Sequence, residues 1–220
     1  LALYMSVTPL FATPLWNKHV HNPKLLQEIR ALINDFNQGV EHAGTVSEDF
    51  QQAYITNNRI RMNKKGITSF YSDNFATKPE WKSVRDQLLI EIKALIGRDC
   101  DTEELDFFRL WATIYPKDAH IPLHCHQNAA LSGVFYIDTQ EEGGDITFQD
   151  PAWLAKVMYA GKDQPHTRYT LNPTDGLLLV FPSWLPHQST PNLSDKNRLI
   201  VSFNLTRKSD PKMTEFDLLD

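Results

Sequence analysis

A change of texture at Leu105 constrains the fold more than any other feature of this sequence. Before it, two stretches carry apolar residues at helical spacing. The first runs from Asn22 to about Asn37, with Asn22 as cap, Pro23 in the first turn, Leu25, Leu26, Ile29, Leu32, Ile33 and Phe36 on one face, and Gly39 as the stop. The second runs from Thr77 to Ile96, with Pro79 in its first turn and Gly97 ending it. After Leu105 the apolar runs are short and punctuated by Pro, Gly, Asn and Asp, as strands are: Phe107 to Tyr115, Leu131 to Ile137, Asp145 to Phe148, Thr170 to Leu171, Leu177 to Phe181 and Leu199 to Leu205. Helices first and strands afterwards predict an α+β fold with a helical layer packed on one sheet, not an alternating parallel sheet. Thr45 to Asp73 lacks periodicity and is expected to be irregular, and Pro151 to Thr167 is expected to be a loop or short helix over one end of the sheet structure.

A chain of 220 residues can bury one full core. One domain is expected over 1–220, with a mainly helical layer at 5–104, a strand core at 105–206 and a tail at 207–220. A net charge of -5 gives no general attraction to phosphate backbones, so nucleic acid is not the expected partner. Two cysteines, Cys100 and Cys125, and no secretory or membrane-spanning stretch lead to the expectation of a cytoplasmic protein.

Chemistry concentrates in two places. His120, His124 and His126 crowd together just after the run ending at Tyr115. In extended chain, residues two apart share a face, so His124 and His126 can hold one transition-metal ion together while His120 need not. Far downstream, a turn at Asp175–Gly176 feeds the apolar run Leu177 to Phe181, which ends in a proline-rich bend carrying His187. If the two strands lie side by side, His187 reaches the same ion. The bland alternative is that His187 merely satisfies its bend by hydrogen bonding.

Trp111 to Tyr115, His124-x-His126, Gly133 to Ile137, Gly143-Gly144-Asp145, Gly176 to His187 and Arg198 together resemble the 2-oxoglutarate/Fe(II)-dependent oxygenases, in particular a bacterial and phage group related to prolyl hydroxylases. The resemblance spans about Leu105 to Thr206. It implies a double-stranded β-helix, a jelly-roll or cupin-like barrel, that uses iron(II) and 2-oxoglutarate to hydroxylate a C–H bond with release of succinate and carbon dioxide. It further implies that His124, His126 and His187 are metal ligands and that Arg198 binds the distal carboxylate of 2-oxoglutarate, with Tyr136 beside it. Alternation along Leu199 to Phe203 puts Ser202 on the Arg198 face, where it can add a hydrogen bond to the same ligand. A guanidinium at the head of so apolar a strand needs an anion, and the bland candidate is an ion pair with Asp195.

The sequence departs from the family in one position. Where His-x-Asp is usual it has His124-x-His126, which replaces a carboxylate by a neutral imidazole. A shifted register would make Asn128 the second ligand, and Asp145 could instead supply a carboxylate from a neighbouring strand. The alternatives to a 2-oxoglutarate enzyme are a cupin-type three-histidine iron dioxygenase and a non-enzymatic cupin-like binding module. Dioxygen and a small-molecule or peptide substrate are the expected partners; a homodimer stays open. Tyr54, Arg59, Arg61, Lys64, Phe70 and Tyr71 either line a substrate entrance or form a solvated surface, and the solvated surface is the expectation.

Overall fold

A computed structural model describes residues 12–44, 66–70, 73–127, 129–153 and 167–208. Asn22 caps the first helix, α1 (Pro23–Gly44), by accepting from the Leu25 N–H at 3.0 Å. The helix passes through Gly39, the expected stop, and ends at Gly44. One glycine inside a helix costs only about 1 kcal/mol, too little to terminate a helix already anchored by packing. Leu25, Ile29 and Ile33 are its fully buried stripe. The second helix, α2 (Lys82–Ile96), starts later than its apolar spacing predicts. Two 3-10 turns, Phe75–Thr77 and Pro79–Trp81, precede it. Lys78 between them is extended (φ -82°, ψ 127°), because the proline ring after it disfavours the helical region. Val84, Leu88, Ile92 and Ile96 form the buried face of α2, and the Gly97 N–H closes it on Lys93 O at 3.0 Å.

Nine strands make two sheets among the described residues. They are β1 (Trp16–His19), β2 (Ile67–Thr68), β3 (Leu105–Tyr115), β4 (Leu131–Asp138), β5 (Ile146–Gln149), β6 (Arg168–Leu171), β7 (Leu177–Pro182), β8 (His187–Ser189) and β9 (Arg198–Arg207). The larger sheet runs β1-β7-β4-β9-β3-β2 and the smaller β6-β5-β8, with every pairing antiparallel. Beside its helices the N-terminal layer carries two short segments not expected from the sequence, β1 and β2, which form the two edges of the large sheet. Ile67–Thr68 also places a strand inside the stretch expected to be irregular. Most of the expected insertion at 151–167 lies outside the described residues.

Alternation sorts the large sheet's side chains into two cores. Leu110, Ala112, Ile114, Phe135, Leu178, Val180, Val201 and Phe203 pack with the buried faces of α1 and α2. Tyr115, Val134, Tyr136, Leu177, Leu179, Phe181 and Ile200 pack with Ile146, Phe148 and Leu185. Strand β7 is apolar at every position because both of its faces are covered. The helices therefore occupy one side of the sheet, and the other side is left for a cavity.

Candidate metal and cosubstrate site

That cavity, about 110 Å³, opens on the inner face of the large sheet. Strand β3 contributes Trp111, Thr113 and Tyr115; β4 contributes Val134 and Tyr136; β9 contributes Arg198, Ile200 and Ser202. His124, His126 and His187 complete the wall.

The histidine end is assembled by main-chain hydrogen bonds between distant segments. His124 and His187 form an antiparallel bridge in which each N–H donates to the other's carbonyl, at 3.0 and 2.9 Å. The His126 N–H donates to Ser183 O at 2.9 Å. The three imidazoles offer nitrogen atoms that all lie within 4.8 Å of one another, and His126 Nε2 is 3.3 Å from His187 Nε2. Two imidazole nitrogens bound at right angles to one ion sit about 3 Å apart, given metal–nitrogen bonds of about 2.1 Å. His124 Nδ1 lies 2.8 Å from Pro122 O and His187 Nδ1 2.9 Å from Leu185 O. A carbonyl only accepts, so each Nδ1 carries the proton and each Nε2 presents its lone pair to the cavity. Burial, and secondly the neighbouring His124, pull His187 down to about 3, its hydrogen bond to Leu185 opposing; the ring is neutral, as a ligand must be. The residues present thus fit a metal ion.

The other candidate ligands fall elsewhere. His120 contacts Asp118 O at 3.5 Å and is outside the cluster. Asp145 accepts from Asn172 Nδ2 at 2.7 Å and is also outside it, and Asn128 lies outside the described residues.

At the opposite end Arg198 is buried, 2% exposed. Asp195, the bland partner, pairs with Lys117 at 2.7 Å instead. Arg198 Nη1 donates to Gly143 O at 2.6 Å and Gly144 O at 3.0 Å, its guanidinium carbon lies 4.3 Å from the Tyr115 ring centre, and its buried Nε has no hydrogen-bond partner among the described residues. Among the described residues no carboxylate meets this cation. A buried guanidinium with an unspent donor, facing a cavity, fits an anionic ligand. Burial pushes the Tyr136 phenol well above its ordinary value against the opposing pull of Arg198, so it too is a donor.

Phe70 corrects the expectation of a solvated surface: it lines the cavity and meets Trp111 edge-to-face at 4.9 Å, and Trp111 lies 5.8 Å from His126. The rest of that group, Tyr54, Arg59, Arg61, Lys64 and Tyr71, lies outside the described residues. Sequence reasoning also missed the contact of Gly143 and Gly144 with Arg198, although both glycines were among the residues that carry the resemblance.

Two facing antiparallel sheets, with the histidine cluster at one end of the space between them, define the double-stranded β-helix class. A family model described as "Putative 2OG-Fe(II) oxygenase" matches residues 109–204. In solved structures the fold is similar to AviO1 from Streptomyces viridochromogenes Tue57, at 14% identity over 90% of this chain and 92% of that one, TM-score 0.60. It is similar to HygX from Streptomyces hygroscopicus, solved with nickel, 2-oxoglutarate and hygromycin B bound, at 13% identity over 94% and 90%, TM-score 0.58. A Pseudomonas putida prolyl-4-hydroxylase shares 16% identity over 90% and 94%, TM-score 0.50. No curated protein matches the sequence. Residues 109–204 are thus similar to the 2OG-Fe(II) oxygenases in sequence, and the chain shares its fold with these solved structures. Among the described residues no helix is long and apolar enough to cross a membrane.

Proposed function

We propose that His124, His126 and His187 hold iron(II), that Arg198, Tyr136 and Ser202 hold 2-oxoglutarate, and that the protein hydroxylates a C–H bond of a small-molecule or peptide substrate, releasing succinate and carbon dioxide. One observation carries this reading: three convergent imidazoles and a buried guanidinium that meets no carboxylate among the described residues line the same cavity. The iron and cosubstrate, when bound, supply activation of dioxygen and the oxidising power for the C–H bond.

The protein's own residues bind, orient and exclude. The Pro122 and Leu185 carbonyls fix the tautomers of His124 and His187, leaving Nε2 as ligand atoms. Arg198 neutralises the distal carboxylate, while Tyr136 and Ser202, on the same inner face, donate to it. Val134, Ile146, Phe181 and Ile200 keep the surrounding wall apolar, which limits water at the reacting end. Phe70 and Trp111, on the His126 side, offer an aromatic wall to the substrate.

Three neutral ligands suit a cupin-type dioxygenase that works without 2-oxoglutarate equally well, but that alternative leaves Arg198 with no anion. Incubating the iron(II) protein with 2-oxoglutarate under oxygen and following succinate separates the two. Slow succinate formation, dependent on iron and accelerated by a true substrate, is the expected result; iron binding with neither 2-oxoglutarate affinity nor succinate would sink the assignment in favour of the cupin reading.

A further inference from the structure

The arginine at the far end of the cavity is held in a particular orientation, and the residues that orient it are outside the proposed ligand set. A guanidinium has five N–H donors, and both hydrogens of Arg198 Nη1 are committed, one to Gly143 O at 2.6 Å and one to Gly144 O at 3.0 Å. The Tyr115 ring lies beneath the guanidinium carbon at 4.3 Å and blocks one face. What remains is Nε, buried and without a hydrogen-bond partner, and Nη2, which makes no hydrogen bond among the described residues. These two donors lie parallel along one edge of the fork, the geometry that a carboxylate accepts bidentately.

The turn that occupies Nη1 is built for close approach. Gly144 has φ +91°, a conformation that side-chain-bearing residues rarely adopt. A Cβ there would lie 2.7 Å from Arg198 Nη1, 2.5 Å from Thr190 O and 2.8 Å from Pro191 O. Only glycine lets both carbonyls reach the cation.

We propose that the Gly143–Gly144 turn and the Tyr115 ring are positioning elements that turn the Nε–Nη2 edge of Arg198 toward the distal carboxylate of the cosubstrate and thereby set selectivity for a dicarboxylate over a shorter 2-oxo acid. The inference rests on the 2-oxoglutarate reading above. It also implies that lysine cannot replace this arginine. The two turn carbonyls would capture a single ammonium, leaving no second donor for the ligand.

The test is an anaerobic titration of the iron(II) protein with 2-oxoglutarate and, separately, with pyruvate, which lacks the distal carboxylate, following the metal-to-ligand charge-transfer band. Native protein should prefer 2-oxoglutarate. In Arg198→Lys the 2-oxoglutarate dissociation constant should rise about tenfold or more, with pyruvate affinity and iron stoichiometry unchanged. Gly144→Ala should lose the preference similarly, and Tyr115→Leu should lose about three- to tenfold. A merely structural fault would weaken both keto acids and iron together. Tyr115→Leu leaves the turn and the cation in place and decides the positioning role even if Gly144→Ala does not fold, native-like preference in it removing the ring from that role. Native-like 2-oxoglutarate affinity in Arg198→Lys, or an undiminished preference in iron-loaded Gly144→Ala, overturns the positioning role. Native protein that binds 2-oxoglutarate no better than pyruvate overturns the cosubstrate reading itself, and this inference with it.

Discussion

The two ends of the cavity are built on different principles. At the histidine end, geometry comes from main chain: His124 and His187 are locked as a bridging pair, and each ring is then tied to a carbonyl two residues away. At the arginine end, a long side chain is steered by contacts at its tip, two carbonyls and an aromatic face. A ligand set made by the ladder is expected to respond to mutation in an all-or-none way, whereas a steered cation responds in proportion to the donors it loses. The difference can be tested at both ends.

The largest effect is expected at the histidines. His124→Ala and His187→Ala should each lose stoichiometric iron, measured by chelator assay after anaerobic reconstitution, while circular dichroism stays native because the helix-packed core is separate from the site. Full iron in either variant removes that residue from the metal set. His126→Ala should lose iron too, but His126→Asp should keep it, since a carboxylate at that position restores the common pattern; equal affinity in both would point to a two-histidine site. Next comes Arg198→Ala, for which charged hydrogen bonds worth roughly 1.5–3 kcal/mol predict a ten- to hundredfold or larger rise in the 2-oxoglutarate dissociation constant with iron spared. Iron loss in that variant would erase the contrast between the two ends.

A smaller effect is expected from pH. His187 sits at about 3 in the folded protein against an ordinary 6.5, so the folded state favours the neutral ring. As pH falls below 6.5 the unfolded chain takes up this proton first; the contribution is complete above 6.5 and drains away toward pH 3, at about 1.4 kcal/mol per pH unit for one proton. Urea melts of the iron-free protein between pH 7 and 5 should show that slope, and His187→Gln should flatten it by that amount. Identical slopes in the two proteins would mean that His187 is not held neutral by burial. The smallest effect is expected from His120→Ala, which should leave iron and 2-oxoglutarate affinity near native values because His120 stands outside the histidine cluster, its ring against Asp118 O.

Sequence alone reached the strand core and both chemical ends for a physical reason: each is marked by residues that are costly where they stand. Three crowded histidines and a proline-bound fourth, or a guanidinium opening an apolar strand, demand explanation within a few residues of themselves. What stayed illegible depends on distance or brevity. The Gly143 carbonyl that orients Arg198 is 55 residues away, and nothing local distinguishes it from any surface turn. Strand β1 has only four residues with half its side chains exposed, and β8 only three, so neither carries enough alternation to be seen. Phe70 was misjudged because it neighbours many polar residues in sequence, whereas its packing partner Trp111 lies on another strand.

The mutual bridge between His124 and His187 bears on what a metal contributes to the fold. An ion that linked those residues in a free chain would have to close a loop of roughly sixty residues, an entropic cost on the order of 3–4 kcal/mol. Here the ladder has already closed it. The two imidazoles should therefore behave toward incoming metal as a rigid chelator does: fast capture, little rearrangement, and an affinity that drops if strand β8 frays from β5 even when every ligand remains in place.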